Sequence, residues 1–131
     1  MDRVKERLED GLKALVTLEK VVGLPKPSDV ERDAAIQRFE YTFEMAWKAA
    51  QAYLTDREFL EAASPRAAIR GSFKAGLFDD DIAEKFMKMA NDRNLTVHTY
   101  KEDFAIQLYS RLAGHAALLR QWFEEIQKRV E

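Results

Sequence analysis

The sequence predicts an all-α protein, an antiparallel up-and-down helical bundle of four long helices and one short one. Three observations carry that expectation. Apolar residues recur every three or four positions along most of the chain, and no stretch alternates apolar and polar as a half-buried strand does. Only five Gly and three Pro punctuate 131 residues, too few for the turns of an all-β fold. Helix start and stop signals fall at the ends of the periodic stretches.

The first helix is expected over residues 2–22, with Val4, Leu8, Leu12, Leu15 and Val22 at helical spacing. Gly23, Pro25 and Pro27 end it, because Gly suits the position after a helix and Pro cannot continue the hydrogen-bond ladder. Ser28-Asp29-Val30-Glu31 reads as a capping box that opens the longest helix, about 29–55. Its apolar stripe is Ile36, Phe39, Phe43, Trp47, Ala50 and Leu54, with Tyr41 and Tyr53 to the side. Ser64-Pro65 supplies an N-cap followed by Pro in the first turn, starting a short helix over about 65–75 that carries Ile69 and Phe73 and stops at Gly76. Leu77-Phe78 is expected to plug the core. Asp79, Asp80 and Asp81 suit the positive N-terminus of a fourth helix bearing Ile82, Phe86 and Met89. Thr99-Tyr100-Lys101-Glu102 reads as a further capping box before a last helix, about 100–129, with Leu108, Leu112, His115, Leu119, Trp122 and Ile126 along a near-heptad seam.

The length fits one domain, residues 1–131. Helices of 20–30 residues would be rods of about 30–45 Å. So much apolar rod is hard for a small monomer to cover, so a homodimer is expected, joined through a stripe left over from the bundle core.

Composition narrows the function. With 47% hydrophobic residues, wholesale disorder is excluded. Lys plus Arg is 21 against 23 Asp plus Glu, so the net charge of −2 excludes a generally basic nucleic-acid coat while leaving room for a local basic stripe. No cysteine is present, so disulfides, thiolate metal sites and thiol nucleophiles are excluded. The charged start, MDRVKERLEDG, does not read as a secretory signal, so none is expected, and no apolar run approaches the ~20 residues that span a bilayer. A cytoplasmic protein with no membrane contact is expected, with no metal and no cofactor.

Polar chemistry concentrates in Asp92-Arg93-Asn94-Leu95-Thr96-Val97-His98-Thr99-Tyr100, between the fourth and fifth helices. Arg93 is a permanent cation whose fork suits phosphate. His98 can exchange a proton near neutral pH, Asn94 can orient a phosphate or a water, and Tyr100 adds a hydroxyl. On an unbroken helix, residues five apart lie about 140° apart around the axis, so Arg93 and His98 would not converge. The β-branched Thr96, Val97 and Thr99 weaken the helix there, and a break could swing His98 back. Alternatively, two chains could each offer the pair across a two-fold axis. The bland alternative pairs Arg93 with a carboxylate such as Asp92 or Glu102 and leaves His98 capping a helix end.

Other residues are weighed the same way. His115, on the apolar seam, reads as a satisfied core or interface histidine rather than a metal ligand. Glu40 and Glu44, one turn apart, either hold a cation or substrate or pair with Arg38, Lys48 or a neighbouring helix. Arg66, Arg70 and Lys74 form a cationic stripe that is either a solvated face or a phosphate-backbone contact. No Gly-rich phosphate loop, His-Glu-x-x-His or serine elbow is present.

Arg93-Asn94-x-x-x-His98-x-Tyr100 resembles the R-x-x-x-x-H-x-Y signature of HEPN-domain proteins of the HepT kind, closest to the nucleotidyltransferase substrate-binding subgroup. Three blocks carry the resemblance: Arg38 to Glu44 continuing to Trp47-Lys48, Ala75 to Asp80, and Met89 to Tyr100. Where the family pattern has a Trp, this chain has Phe86, which keeps an aromatic plug without the indole N–H. The resemblance implies a dimeric antiparallel α-bundle that partners a minimal nucleotidyltransferase encoded nearby. In its toxin–antitoxin form it implies a metal-independent ribonuclease toxin, with Arg93, Asn94 and His98 as catalytic residues. Tyr100 would then be the tyrosine that the partner adenylylates. Glu40, Glu44, Lys48, Arg66, Arg70 and Lys74 remain possible substrate contacts, RNA or nucleotide. A non-catalytic adaptor that presents a nucleotide to the partner is the alternative.

Overall fold

A computed structural model describes residues 2–131. Five α-helices run in the order α1 (Arg3–Glu19), α2 (Asp29–Arg57), α3 (Pro65–Lys74), α4 (Asp80–Leu95) and α5 (Glu102–Val130). One 3-10 turn, Thr96–His98, lies between α4 and α5, and no strand occurs among the described residues. Only α2 and α5, at 29 residues each, reach the expected rod length, about 43 Å. The 17-residue α1 and 16-residue α4 are shorter than the 20–30 residues expected of long helices.

The expected starts of α2, α3 and α4 are built as read. Ser28 and Glu31 form the reciprocal capping box, with Oγ accepting from the Glu31 N–H at 3.1 Å and the Ser28 N–H donating to Oε1 at 2.8 Å. Ser64 caps α3 through the Ala67 N–H, and Asp79 caps α4 through the Ile82 N–H. At the end of α3, Gly76 adopts φ 78°, and the Gly76 and Leu77 N–H groups reach back to Phe73 and Ser72. That left-handed turn drops Leu77 and Phe78 into the core as expected.

Two ends differ from the expectation. The first helix stops at Glu19, not at residue 22. Tyr109 of α5 captures the segment beyond it: its hydroxyl donates to the Val21 carbonyl at 2.7 Å and accepts the Leu24 N–H at 3.0 Å. A partner 88 residues away thus satisfies backbone groups that further helix would have paired. The capping box at Thr99–Glu102 does not form. Thr99 instead donates its hydroxyl to the Thr96 carbonyl at 2.8 Å, and α5 begins after Lys101 with no side-chain cap.

The centre of the bundle is α1, α2 and α5 packed on one another; α3 lies on α2, and α4 lies on α3. Trp122, Phe39, Phe43, Phe86 and Phe123 are fully buried at the junctions. Gly11 lets α1 close on α5, since a β-carbon there would sit 2.3 Å from Phe123 Cε1. Phe86 fills the aromatic plug between Phe78 (centroids 4.9 Å apart) and Trp122 (4.7 Å), while the Trp122 indole N–H donates to Ser72 Oγ at 3.0 Å. Arg129 ties the far end of α5 to the Ala75 and Gly76 carbonyls after α3. No helix among the described residues is long and apolar enough to cross a membrane.

Candidate functional site

The helix break imposed by the β-branched run is real. α4 holds its ladder to Leu95, tightens into the 3-10 turn Thr96–His98, and releases the chain through Thr99–Lys101 into α5. Arg93 and His98 therefore do not share one unbroken helix. Thr96 helps to close α4: its hydroxyl donates to the Arg93 carbonyl at 2.8 Å and faces the Arg93 guanidinium at 3.4 Å.

Arg93 is half-buried and finds its carboxylate on α2. Glu44 Oε1 lies 3.4 Å from Arg93 Nε, and Glu44 Oε2 accepts the Trp47 indole N–H at 3.0 Å. Arg93 thus pairs with a carboxylate, as the bland alternative expects, but the carboxylate is Glu44 of a neighbouring helix rather than Asp92 or Glu102. The Arg93 Nε itself makes no hydrogen bond. The guanidinium is thus held by Glu44 and Thr96, with its Nε buried and turned towards the Glu44 carboxylate.

Glu44, Arg66, Arg93 and Asn94 line one cleft of about 220 Å³ at the junction of α2, α4 and the N-terminus of α3, with Ser64 at its edge. Arg66 donates to Asn91 of α4, which holds it at this junction. The cleft gathers two guanidiniums, one carboxylate and one amide, with Pro65 and Phe43 as apolar wall. An oxyanion such as a phosphodiester matches two such cations.

The other candidates lie outside that cleft. His98 and Tyr100 are exposed on the turn, their rings 6.2 Å apart in an edge-on arrangement, and Tyr100 is 76% exposed. Lys48 is exposed, its ammonium 6.0 Å from the Trp47 ring centroid. Glu40 forms no ion pair among the described residues, and Arg38, offered as its partner, donates instead to the Thr17 carbonyl. Arg70 and Lys74 are exposed on α3. No group of three metal-ligating side chains is gathered among the described residues.

Next to Arg93, pointing the other way, Asp92 forms a buried polar knot that sequence reasoning missed. It takes two hydrogen bonds from Arg111 at 2.9 Å each and a third from His115 Nε2 at 2.7 Å. Burial alone would raise the Asp92 carboxyl, but the bonds from Arg111 and His115 outweigh it and hold the carboxyl below its ordinary range. Burial pushes the His115 imidazole down, against the opposing pull of Asp92. A neutral His115 must then carry its proton on Nε2, because the carboxylate can only accept. The Phe39 ring stacks on the imidazole at 5.3 Å. His115 is the satisfied core histidine that the sequence suggested, and its knot pins α4 to α5 directly beside the Arg93-Asn94 pair.

The sequence matches the nucleotidyltransferase substrate binding protein-like family over residues 6–128. The chain belongs to that family. Its similarity to a crystal structure from Thermus thermophilus is high, at 50% identity and TM-score 0.87 over 89% of this chain and 98% of that one. The same fold recurs in the tri-AMPylated Shewanella oneidensis HEPN toxin in complex with MNT antitoxin, at 16% identity and TM-score 0.76 over 98% of each chain. It recurs again in a toxin–antitoxin crystal structure with AMP-PNP, at 16% identity and TM-score 0.77 over 96% of this chain and 98% of that one. At that identity these two likenesses show the fold alone. No curated protein matches the chain in sequence.

Proposed function

We propose that this family member is a metal-independent ribonuclease of toxin–antitoxin type whose partner is a minimal nucleotidyltransferase. The observation that supports the reading is the convergence of two guanidiniums, Arg66 and Arg93, with Asn94 on one cleft of about 220 Å³, next to the helix break that presents His98. The nucleotidyltransferase partner is supported by the family and by the complexes in which the fold recurs.

The chemistry is strand scission by the neighbouring ribose. The 2′-oxygen attacks the adjacent phosphorus, forming the 2′-O–P bond while the P–O5′ bond breaks. The 2′-hydroxyl proton passes to a base, and the departing 5′-oxygen takes a proton from an acid. The products are a 2′,3′-cyclic phosphate and a 5′-hydroxyl. Such a reaction needs a base, an acid and a cation against the growing phosphorane charge. One chain presents one exposed imidazole at the motif. Two chains about a two-fold axis supply two copies of His98 and two of Arg93, so the active site is composite. Leu95, Val97, Tyr100 and Ile106 expose apolar surface on either side of His98, which supports a homodimer seam there. Asn94 orients the phosphate.

Tyr100, exposed beside His98, is the residue whose adenylylation would silence the enzyme, adding bulk and a negative phosphodiester next to the cationic site. Incubation with the partner and ATP should add adenylyl mass to the chain, and Tyr100→Phe should abolish the addition. An unchanged mass gain in that variant rejects Tyr100 as acceptor.

The decisive test is His98→Ala. RNA cleavage in EDTA should vanish while helical content and oligomeric state stay unchanged. Cleavage at the wild-type rate would overturn the assignment. The Glu44–Arg93 pairing supports a second reading, a non-catalytic adaptor in which the same cleft binds a nucleotide phosphate. Wild-type protein that binds a nucleotide at the cleft and cuts no RNA would select it.

A further inference from the structure

We propose that the outer face of α3 is a strand-binding track that holds single-stranded RNA leading away from the Arg93 cleft. The inference deepens the ribonuclease reading by placing the substrate strand outside the cleft.

α3 buries Ala68, Ile69, Gly71 and Ser72. At about 100° per residue, Arg66, Arg70, Phe73 and Lys74 then fall together on the opposite side, within an arc of roughly 100°. Arg66, Arg70 and Lys74 span about 12 Å of helix, one cation per ~6 Å, a spacing that suits successive phosphates of an extended strand. α3 carries these three cations and no carboxylate, in a chain whose net charge is −2. None of the three enters an ion pair among the described residues, while Arg3, Arg57, Arg93, Arg111, Arg120 and Arg129 all do. The one polar partner among them is neutral, Asn91 beneath Arg66. The three cations therefore lie open to an external anion, with no carboxylate of the described residues within ion-pair distance.

Two further features select a nucleic-acid strand over a merely acidic surface. Phe73 sits among the cations with 43% of its surface exposed. An exposed aromatic within a basic row is the stacking element of sequence-tolerant single-strand binders. The track is also continuous with the site, because Arg66 belongs to both: it lines the cleft with Arg93 and Asn94 and starts the row along α3. A phosphate bound at Arg93 thus has its neighbours directed onto α3.

The test measures binding apart from cutting. Full-length His98→Ala protein is titrated against a short fluorescein-labelled single-stranded RNA by anisotropy across a salt series. Adding Arg70→Ala and Lys74→Ala should weaken binding about tenfold or more and reduce the log–log salt slope by about 1.4, at ~0.7 per phosphate contact. Adding Phe73→Ala instead should weaken binding roughly 5- to 100-fold with the slope unchanged. Removing Lys13 and Lys128, cations of α1 and α5, should change neither. Equal loss from the α3 and control pairs, or no loss from either, overturns the track. So does loss of nucleotidyltransferase co-purification alone, which would make the face a protein-docking surface. The two readings fail separately. If RNA affinity falls as stated but the wild type cuts nothing, the ribonuclease reading is lost and the track stands. If Arg70→Ala/Lys74→Ala protein with His98 intact cuts RNA with the KM and salt dependence of the wild type, the track is lost and the catalytic site stands.

Discussion

Asp92→Ala tests whether the buried knot holds α4 against α5. The substitution removes the acceptor of three hydrogen bonds. The His115 side chain is 10% exposed, so its Nε2–H loses its partner where water reaches poorly, which costs about 1–3 kcal/mol. The Arg111 side chain is 42% exposed and can resolvate, so its share is about 0–1 kcal/mol. Ala is the better helix former by a few tenths of a kcal/mol, a small offset. The net expectation is a loss of roughly 1–3 kcal/mol, or about 5–10 °C in Tm for a domain of this size. Urea melts followed by far-UV circular dichroism, at one fixed protein concentration, should show a lower midpoint with the m-value unchanged. The pH dependence follows from His115. Its folded pKa lies below the ordinary 6.5, so between the two values the unfolded chain takes a proton that the folded chain refuses. Stability therefore falls as pH drops below about 6.5, and His115→Gln should remove that part of the slope. The Asp92 carboxyl adds a second loss below its ordinary 3.8, again because the folded value is lower. A midpoint within about 0.5 kcal/mol of wild type for Asp92→Ala would refute the reasoning.

Glu44→Gln tests positioning at the cleft. Removing the charge should leave Arg93 less well aimed, lowering kcat for RNA cleavage about 10- to 100-fold with KM little changed, as loss of an oriented transition-state contact does. A change confined to KM would make Glu44 a substrate contact instead. Ser72→Ala leaves the buried Trp122 indole N–H unpaired and should cost about 1–3 kcal/mol in urea melts. Unaltered stability there would mean that the hydrogen bond contributes nothing net.

Local signals were the legible part of the fold. Ser28, Ser64 and Asp79 cap their own helices within three residues, so the starts of α2, α3 and α4 could be read from neighbouring letters. Where a distant residue decides, the reading stopped short. Tyr109 ends the first helix three residues early from across the bundle, and Thr99 joins the 3-10 turn in place of a capping box. The same divide runs through the site. Arg93, Asn94, His98 and Tyr100 are near one another in sequence and could be grouped, whereas the Glu44–Arg93 pair joins α2 to α4 and is visible only after folding. The Asp92 knot did leave a signal. Asp92 falls in phase with Phe86 and Met89, a carboxylate on a buried helical face, and Arg111 and His115 are one turn apart on α5. A charge on an apolar stripe requires a partner there.

The most direct measurement of the central claim is the chemistry of the RNA ends. Purified protein is incubated with RNA in EDTA, and the fragments are analysed by mass spectrometry. The composite Arg93–His98 site predicts 2′,3′-cyclic phosphate and 5′-hydroxyl ends from the wild type and intact RNA from both Arg93→Ala and His98→Ala. Intact RNA from the wild type, or the same cyclic ends from either variant, would contradict it.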